Sequence, residues 1–150
     1  ALGPRFSNPS SAHSLGSDGK QLLAEARQNL ANLIGVFSTD IYFTGSGTEA
    51  NNWAIRSAFP SGGQNRRLIT TPIEHSSILK QANHLSDKEG LEVVYIPVLP
   101  SGRIDTGALE HLIDERTGLV SVQWVNNETG IVQPIEEIAR ICKKKNIPLN

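Results

Sequence analysis

The sequence alternates between two kinds of segment. Short runs of β-branched and aromatic residues give way to longer stretches with apolar residues every three or four positions, and glycine or proline marks the joints. Ile41-Tyr42-Phe43-Thr44, Leu68-Ile69-Thr70-Thr71, Glu92-Val93-Val94-Tyr95-Ile96 and Leu119 to Val125 read as strands, the last being the strongest. Leu22, Leu23, Ala26, Leu30, Leu33 and Ile34 form one helical stripe, opened near Gly16 to Lys20 and closed by Gly35. Parallel strands need a long crossover between them, and a helix supplies it. The alternation therefore predicts an α/β fold, a mainly parallel sheet with helices on both faces.

The local signals place the remaining helices. Ser46 and Glu49 have the spacing of a capping box and predict a helix from about Glu49 to Ala58. Ser76 or Ser77 can cap a helix carrying Ile78, Leu79, Ala82 and Leu85, which Gly90 closes. Asp105 or Thr106 starts another with Leu109, Leu112 and Ile113, after a turn at Pro100-Ser101-Gly102. Pro134 suits a first helical position before Ile135, Ile138, Ala139 and Cys142, and Lys143 to Lys145 complement the negative end of that helix. Ile147-Pro148-Leu149 reads as the approach to a further strand. A chain that opens in a loop and closes on a buried strand is expected to be part of a larger domain, here 1–150, incomplete at both ends.

Composition removes several function classes. At 38% hydrophobic residues the chain of 150 supports a core rather than disorder. The net charge of −1 lacks the basic excess of a nucleic-acid binder. No apolar run is long enough to cross a bilayer, and Ala1-Leu2-Gly3-Pro4-Arg5 lacks the charged-then-apolar pattern of a signal peptide. The single cysteine, Cys142, falls on an apolar helix face and reads as a buried, inert thiol. Neither a multi-cysteine zinc site nor H-x-x-x-H spacing is present, so no metal is expected. His13, His84 and His111 carry no comparable signal.

Ligands in open α/β sheets bind beyond the carboxyl ends of the strands. Three such ends here are rich in polar residues. Thr44-Gly45-Ser46-Gly47-Thr48-Glu49 joins a strand to a helix N-terminus, a site for an anion such as phosphate. It is neither a Walker loop nor a full dinucleotide motif: Ala50 replaces the third glycine, and no ribose-binding acid follows in Arg66 to Thr70. Taken alone, a glycine turn is ordinary in this fold class. Thr70-Thr71-Pro72-Ile73-Glu74-His75 puts an imidazole at the same end, to stack on a planar ligand, move a proton or cap the next helix. Val125-Asn126-Asn127-Glu128-Thr129-Gly130 offers neutral amides that suit a phenolic oxygen, or an Asx turn.

Together with Asn8-Pro9-Ser10-Ser11-Ala12-His13, these motifs in this order resemble the cysteine desulfurases and selenocysteine lyases. These belong to the class V aminotransferase group, pyridoxal-phosphate enzymes of fold type I. The resemblance covers essentially the whole chain and implies pyridoxal 5'-phosphate as cofactor. It implies that Gly47 and Thr48 hold the cofactor phosphate. It implies that His75 stacks on the pyridine ring and takes part in proton transfer, and that Asn127 lies near the phenolic oxygen, with Asn126 its close competitor. Glu49 is expected to act as a cap. The first turn reads Gly45-Ser46-Gly47 where many members have Ser-Gly-Ala or Ser-Gly-Gly, a mild departure.

In the complete enzymes that the chain resembles, L-cysteine or L-selenocysteine is the substrate and the cofactor ring is the electron sink. A cysteine thiolate attacks the substrate sulfur and leaves alanine and an enzyme persulfide. The resemblance further implies a homodimer, a sulfur-acceptor protein in iron–sulfur cluster assembly, and a cytoplasmic or mitochondrial-matrix location. The family's pyridinium-pairing aspartate, Schiff-base lysine and catalytic cysteine have no counterpart in this stretch. Another class V activity, a non-catalytic binding module and, more distantly, a nucleotide-binding domain are the alternatives. The 150-residue chain is expected to form no alanine from cysteine beyond the rate of free cofactor. An assay of alanine release in the two mixtures checks this.

Overall fold

The computed structural model describes residues 8–11, 14–60, 63 and 66–150. Ala12 and His13 of the Asn8 motif, Ala1 to Arg5, and most of the loop at 61–65 lie outside the described residues. The chain divides into two units, Ala1–Gly45 and Ser46–Asn150.

In the first unit, helix α1 spans Ser14–Ile34 and ends at Gly35, whose φ of 73° is the left-handed conformation that glycine adopts without strain. A short 3₁₀ turn follows at Ser38–Asp40, with Asp40 Oδ2 accepting the Phe37 amide at 3.2 Å. Ile41 to Thr44 forms no β-strand among the described residues, contrary to the sequence expectation. The Ile41 carbonyl instead accepts from Arg27 Nε at 3.0 Å, and the Arg27 guanidinium lies 5.3 Å from the Phe43 ring centre. Side-chain contacts here replace a sheet ladder.

In the second unit the order is α2 (Gly47–Ala58), β1 (Arg67–Thr70), α3 (Ser76–Glu89), β2 (Glu92–Tyr95), α4 (Thr106–Leu112), β3 (Thr117–Val120) and α5 (Ile135–Lys145). The sheet is parallel in the order β2-β1-β3. Leu149 adds a parallel bridge to Val120, as expected of the Ile147-Pro148-Leu149 run. Strand β3 is shorter than the Leu119-to-Val125 run suggested. The Ser121 and Val122 amides still donate to the Ile69 and Asn150 carbonyls, but the pairing stops there, and Val125 pairs antiparallel with Val132.

Alternate strand residues face opposite sides. Leu68 and Leu119 enter one core with Ile55, Ile78, Ala82 and Leu85 from α2 and α3. Ile69 and Val120 enter the other with Leu109, Ile138 and Cys142 from α4 and α5. Helices therefore cover both faces, as the alternation predicted. The path from β1 runs through α3 on one face, and the path from β3 runs to α5 on the other. Adjacent strands whose continuations part in this way leave a crevice between their carboxyl ends.

An ion-pair cluster closes the opposite end of the sheet. Arg67 pairs with Glu92 at 2.8 Å and Asp114 at 2.7 Å, and Arg116 pairs with the same two carboxylates. These contacts tie the start of β1 to the starts of β2 and β3.

Leu68 and Ile69 are fully buried on opposite faces. Leu68→Ala and Ile69→Ala are each expected to cost about 2–5 kcal/mol of stability. The side chains sit in separate cores, so the double variant should be less stable than either single one, and the double-mutant cycle reads the coupling through their shared backbone. Urea unfolding of the three variants checks both points.

Candidate active site

The crevice between β1 and β3 opens into a cavity of about 470 Å³. Its wall includes Asn51, Glu74, His75, Ser121, Gln123 and Trp124. The β1–α3 loop delivers Glu74 and His75, and the segment after β3 delivers Ser121 to Trp124.

Glu74 fastens these two segments together. Its carboxylate is buried and accepts the Gln123 backbone amide at both oxygens, at 3.0 and 3.1 Å, and the Thr71 hydroxyl at 2.8 Å. Gln123 returns the contact by donating its side-chain amide to the Ile73 carbonyl. Asn126 Nδ2 donates to the same carbonyl at 3.0 Å. Burial pushes the Glu74 carboxyl above the usual carboxylate range, opposed by the Gln123 amide and the Thr71 hydroxyl.

His75 is the N-cap of α3, a place that the serine signals had assigned to Ser76 or Ser77. Its Nδ1 accepts the Ser77 backbone amide at 3.1 Å and lies 2.9 Å from the Ser77 hydroxyl. Ser77 Oγ also accepts from Asn51 Nδ2 at 2.8 Å. Capping and a role toward a ligand coexist here: the cap occupies one edge of the ring, while the ring itself is exposed and lines the cavity.

A smaller cavity of about 300 Å³ lies at the start of α2. Thr48, Asn52, Ser76, Ser77, Lys80 and Gln81 line it. Ser46 is the N-cap of α2, and its side chain accepts the Glu49 amide at 3.2 Å. The Ala50 amide bonds the Ser46 carbonyl. No such bond forms at the Gly47 and Thr48 amides among the described residues. A Cβ built at Gly47 meets nothing within 4 Å, so the approach is open. Gln81 Nε2 is buried without a hydrogen-bond partner among the described residues. Hydroxyl-bearing residues, Asn52, Lys80 and Gln81 form a wall rich in donor groups beside the N-terminus of α2, the chemistry that a phosphate needs.

The two asparagines separate cleanly. Asn126 is buried, and its Oδ1 accepts from the Glu128 amide at 3.0 Å, the Thr129 amide at 2.8 Å and the Thr129 hydroxyl at 3.0 Å. Its amide is engaged at both ends, the oxygen in the turn and the nitrogen on the Ile73 carbonyl. Asn127 is exposed, and its side chain has no hydrogen-bond partner among the described residues. Thr48 and His75 thus line adjoining cavities, linked by the Asn51–Ser77 contact. Gly47 and Asn127 line neither one. Sequence reasoning missed Glu74, Gln123, Asn51 and Ser77 as parts of the site. Glu74 stood inside a noted motif, but no local signal announced its partner 49 residues away.

A sequence profile of the family described as aminotransferase class-V matches residues 5–149. The chain belongs to this family. A cysteine desulfurase IscS of Rickettsia bellii is 41% identical over 145 residues, which is 95% of this chain and 35% of that protein. A cysteine desulfurase IscS of Clostridium botulinum is 40% identical over 143 residues, 95% of this chain and 36% of its own length. The solved structure of a NifS-like protein superposes with a TM-score of 0.90 at 38% identity, covering 97% of this chain and 41% of the other. DndA from Streptomyces lividans gives 0.85 at 35% identity, covering 96% and 40%. The class-V chain thus spans about a third of the length of the curated relatives that it matches. Among the described residues no helix is long and apolar enough to cross a membrane, and no cluster could hold a metal ion.

Asn126→Ala is expected to cost on the order of 1–3 kcal/mol, because it strands the Glu128 and Thr129 turn amides and removes one of the two donors to the Ile73 carbonyl. Asn127→Ala should stay within about 0.5 kcal/mol of the parent. Chemical denaturation of both variants distinguishes the staple from the free amide. A second expectation concerns pH. Glu74 holds its proton more tightly folded than unfolded, so its contribution is fully present below the unfolded carboxylate range and is lost as pH rises through the raised folded-state value. Glu74→Gln should remove that component of the pH dependence, read from urea midpoints at a series of pH values.

Proposed function

We propose that this chain is the cofactor-cradling part of a pyridoxal-phosphate-dependent cysteine desulfurase, within that enzyme's large domain. The observation that carries the reading is the pair of adjoining cavities at the β1–β3 crevice. One has donor groups suited to a phosphate, and the other is walled by an exposed imidazole suited to an aromatic ring. The similarity to cysteine desulfurases over 95% of the chain supports the choice of substrate over other class-V activities.

In this reading Gly47 and Thr48 donate backbone amides to the phosphate, and the dipole of α2 favours its charge. Lys80 and Gln81 complete the cup. His75 presents its ring face to the pyridine, and the Glu74–Gln123 clamp fixes the loop that carries it. Asn127 supplies a neutral amide for the phenolic oxygen. When bound, the cofactor supplies an electron sink for the substrate carbon. The substrate is L-cysteine, and the whole protein acts as a homodimer that passes sulfur to an acceptor in the cytoplasm.

Pyridoxamine 5'-phosphate provides the test, because it lacks the aldehyde that would label surface lysines. Its intrinsic fluorescence should report saturable binding to the chain. Pyridoxamine without the phosphate should bind at least roughly tenfold more weakly, a difference of about 1.4 kcal/mol. His75→Ala should weaken binding of the phosphate ester several-fold. Equal affinity for the two amines would sink the phosphate cup.

A further inference from the structure

We infer that Asn51 and Ser77 are positioning residues that lock the neutral His75 ring with its proton on Nε2. The ring then offers the cavity a hydrogen-bond donor and no basic lone pair.

One group in the chain of contacts cannot reverse. The Ser77 backbone amide can only donate, and it lies 3.1 Å from His75 Nδ1. Nδ1 must therefore present its lone pair, because a proton there would set two N–H groups against each other. The Ser77 hydroxyl can either donate or accept. Asn51 Nδ2 donates to Ser77 Oγ at 2.8 Å, which leaves the hydroxyl proton free to turn to Nδ1, 2.9 Å away. Both donors act on the same nitrogen, so the ring proton resides on Nε2. That nitrogen has no hydrogen-bond partner among the described residues, and the ring lines the larger cavity.

The chemical consequence rests on the proposed function. A neutral imidazole takes a proton through a nitrogen that carries none. At His75 that nitrogen is already held by the Ser77 amide and hydroxyl. The neutral ring can stack on a planar cofactor and donate a hydrogen bond from Nε2, but it does not abstract a proton there. This narrows the proton-transfer role that the family resemblance implies for this residue. Asn51 also lies on α2, the helix whose N-terminus forms the phosphate cup, so the same helix that faces the anion sets the polarity of the imidazole.

Nitrogen-15 shifts of the histidine rings read the tautomer directly, in the full chain without ligand, at a pH where the rings are neutral. His111 serves as an internal contrast. Its Nδ1 lies 2.8 Å from the Gly107 carbonyl, which can only accept, so His111 should carry its proton on Nδ1. His75, assigned by loss of its signals in His75→Gln, should show an Nε2–H preference of roughly tenfold or more, given two donors on one nitrogen. Asn51→Asp is the decisive variant. Its carboxylate accepts from Ser77, draws the hydroxyl proton away from the ring and should raise the Nδ1–H fraction several-fold. A purely structural role for Asn51 would leave that ratio where it was. An Nδ1–H ring in the parent, or an unchanged ratio in Asn51→Asp, overturns the inference. Failure to bind pyridoxamine 5'-phosphate would sink the functional reading and leave the tautomer result standing.

Discussion

Strand β1 is paired in parallel on both sides, and everything functional in this chain follows from that constraint. A strand with parallel neighbours on each edge cannot reach either by a tight turn. The chain must leave one end of the sheet, cross a face and return. Because the path from β1 runs over one face and the path from β3 over the other, their carboxyl ends separate above the sheet. The crevice is a product of connectivity before any side chain is chosen. The two cores then make the strand ends rigid, since Leu68 and Ile69 anchor adjacent positions of β1 in opposite layers.

What fills the crevice is a set of hydrogen bonds between segments distant in sequence. The Glu74 carboxylate binds a backbone amide of the segment after β3, and that segment binds back to the Ile73 carbonyl. Asn126 shares that carbonyl and shapes the turn that leaves Asn127 exposed. Buried polar groups of this kind are costly unless satisfied, and here each loop supplies partners to the other as well as to itself. The site is held by mutual satisfaction across the crevice rather than by either loop alone.

Much of this was legible in the sequence, for physical reasons. Helices with a strong apolar stripe and glycine stops appear where periodicity put them, and Gly35 and Gly90 both adopt the left-handed cap. The motifs at the strand ends were visible because glycine, histidine and paired asparagines at such places answer no packing need. The failures share a cause. Ile41 to Thr44 has strand composition but forms no strand among the described residues, and the run to Val125 ends its parallel pairing at Val122. Composition reports what a segment tolerates, whereas pairing depends on what lies beside it. His75 as a cap escaped notice because serine is the commoner cap and two serines follow it. The link from Asn51 to Ser77 spans 26 residues and leaves no local trace.

Cys142 offers a last consequence. It is the chain's single thiol, it is 2% exposed, and burial raises its pKa. The nucleophile in sulfur exchange is the thiolate, so such a group is a poor target for a persulfide. Protein chemistry that generates reactive sulfur faces the hazard of modifying its own scaffold. By placing its only sulfhydryl beneath α5, protonated and out of reach, this part of the molecule is chemically silent toward the product it is proposed to help make.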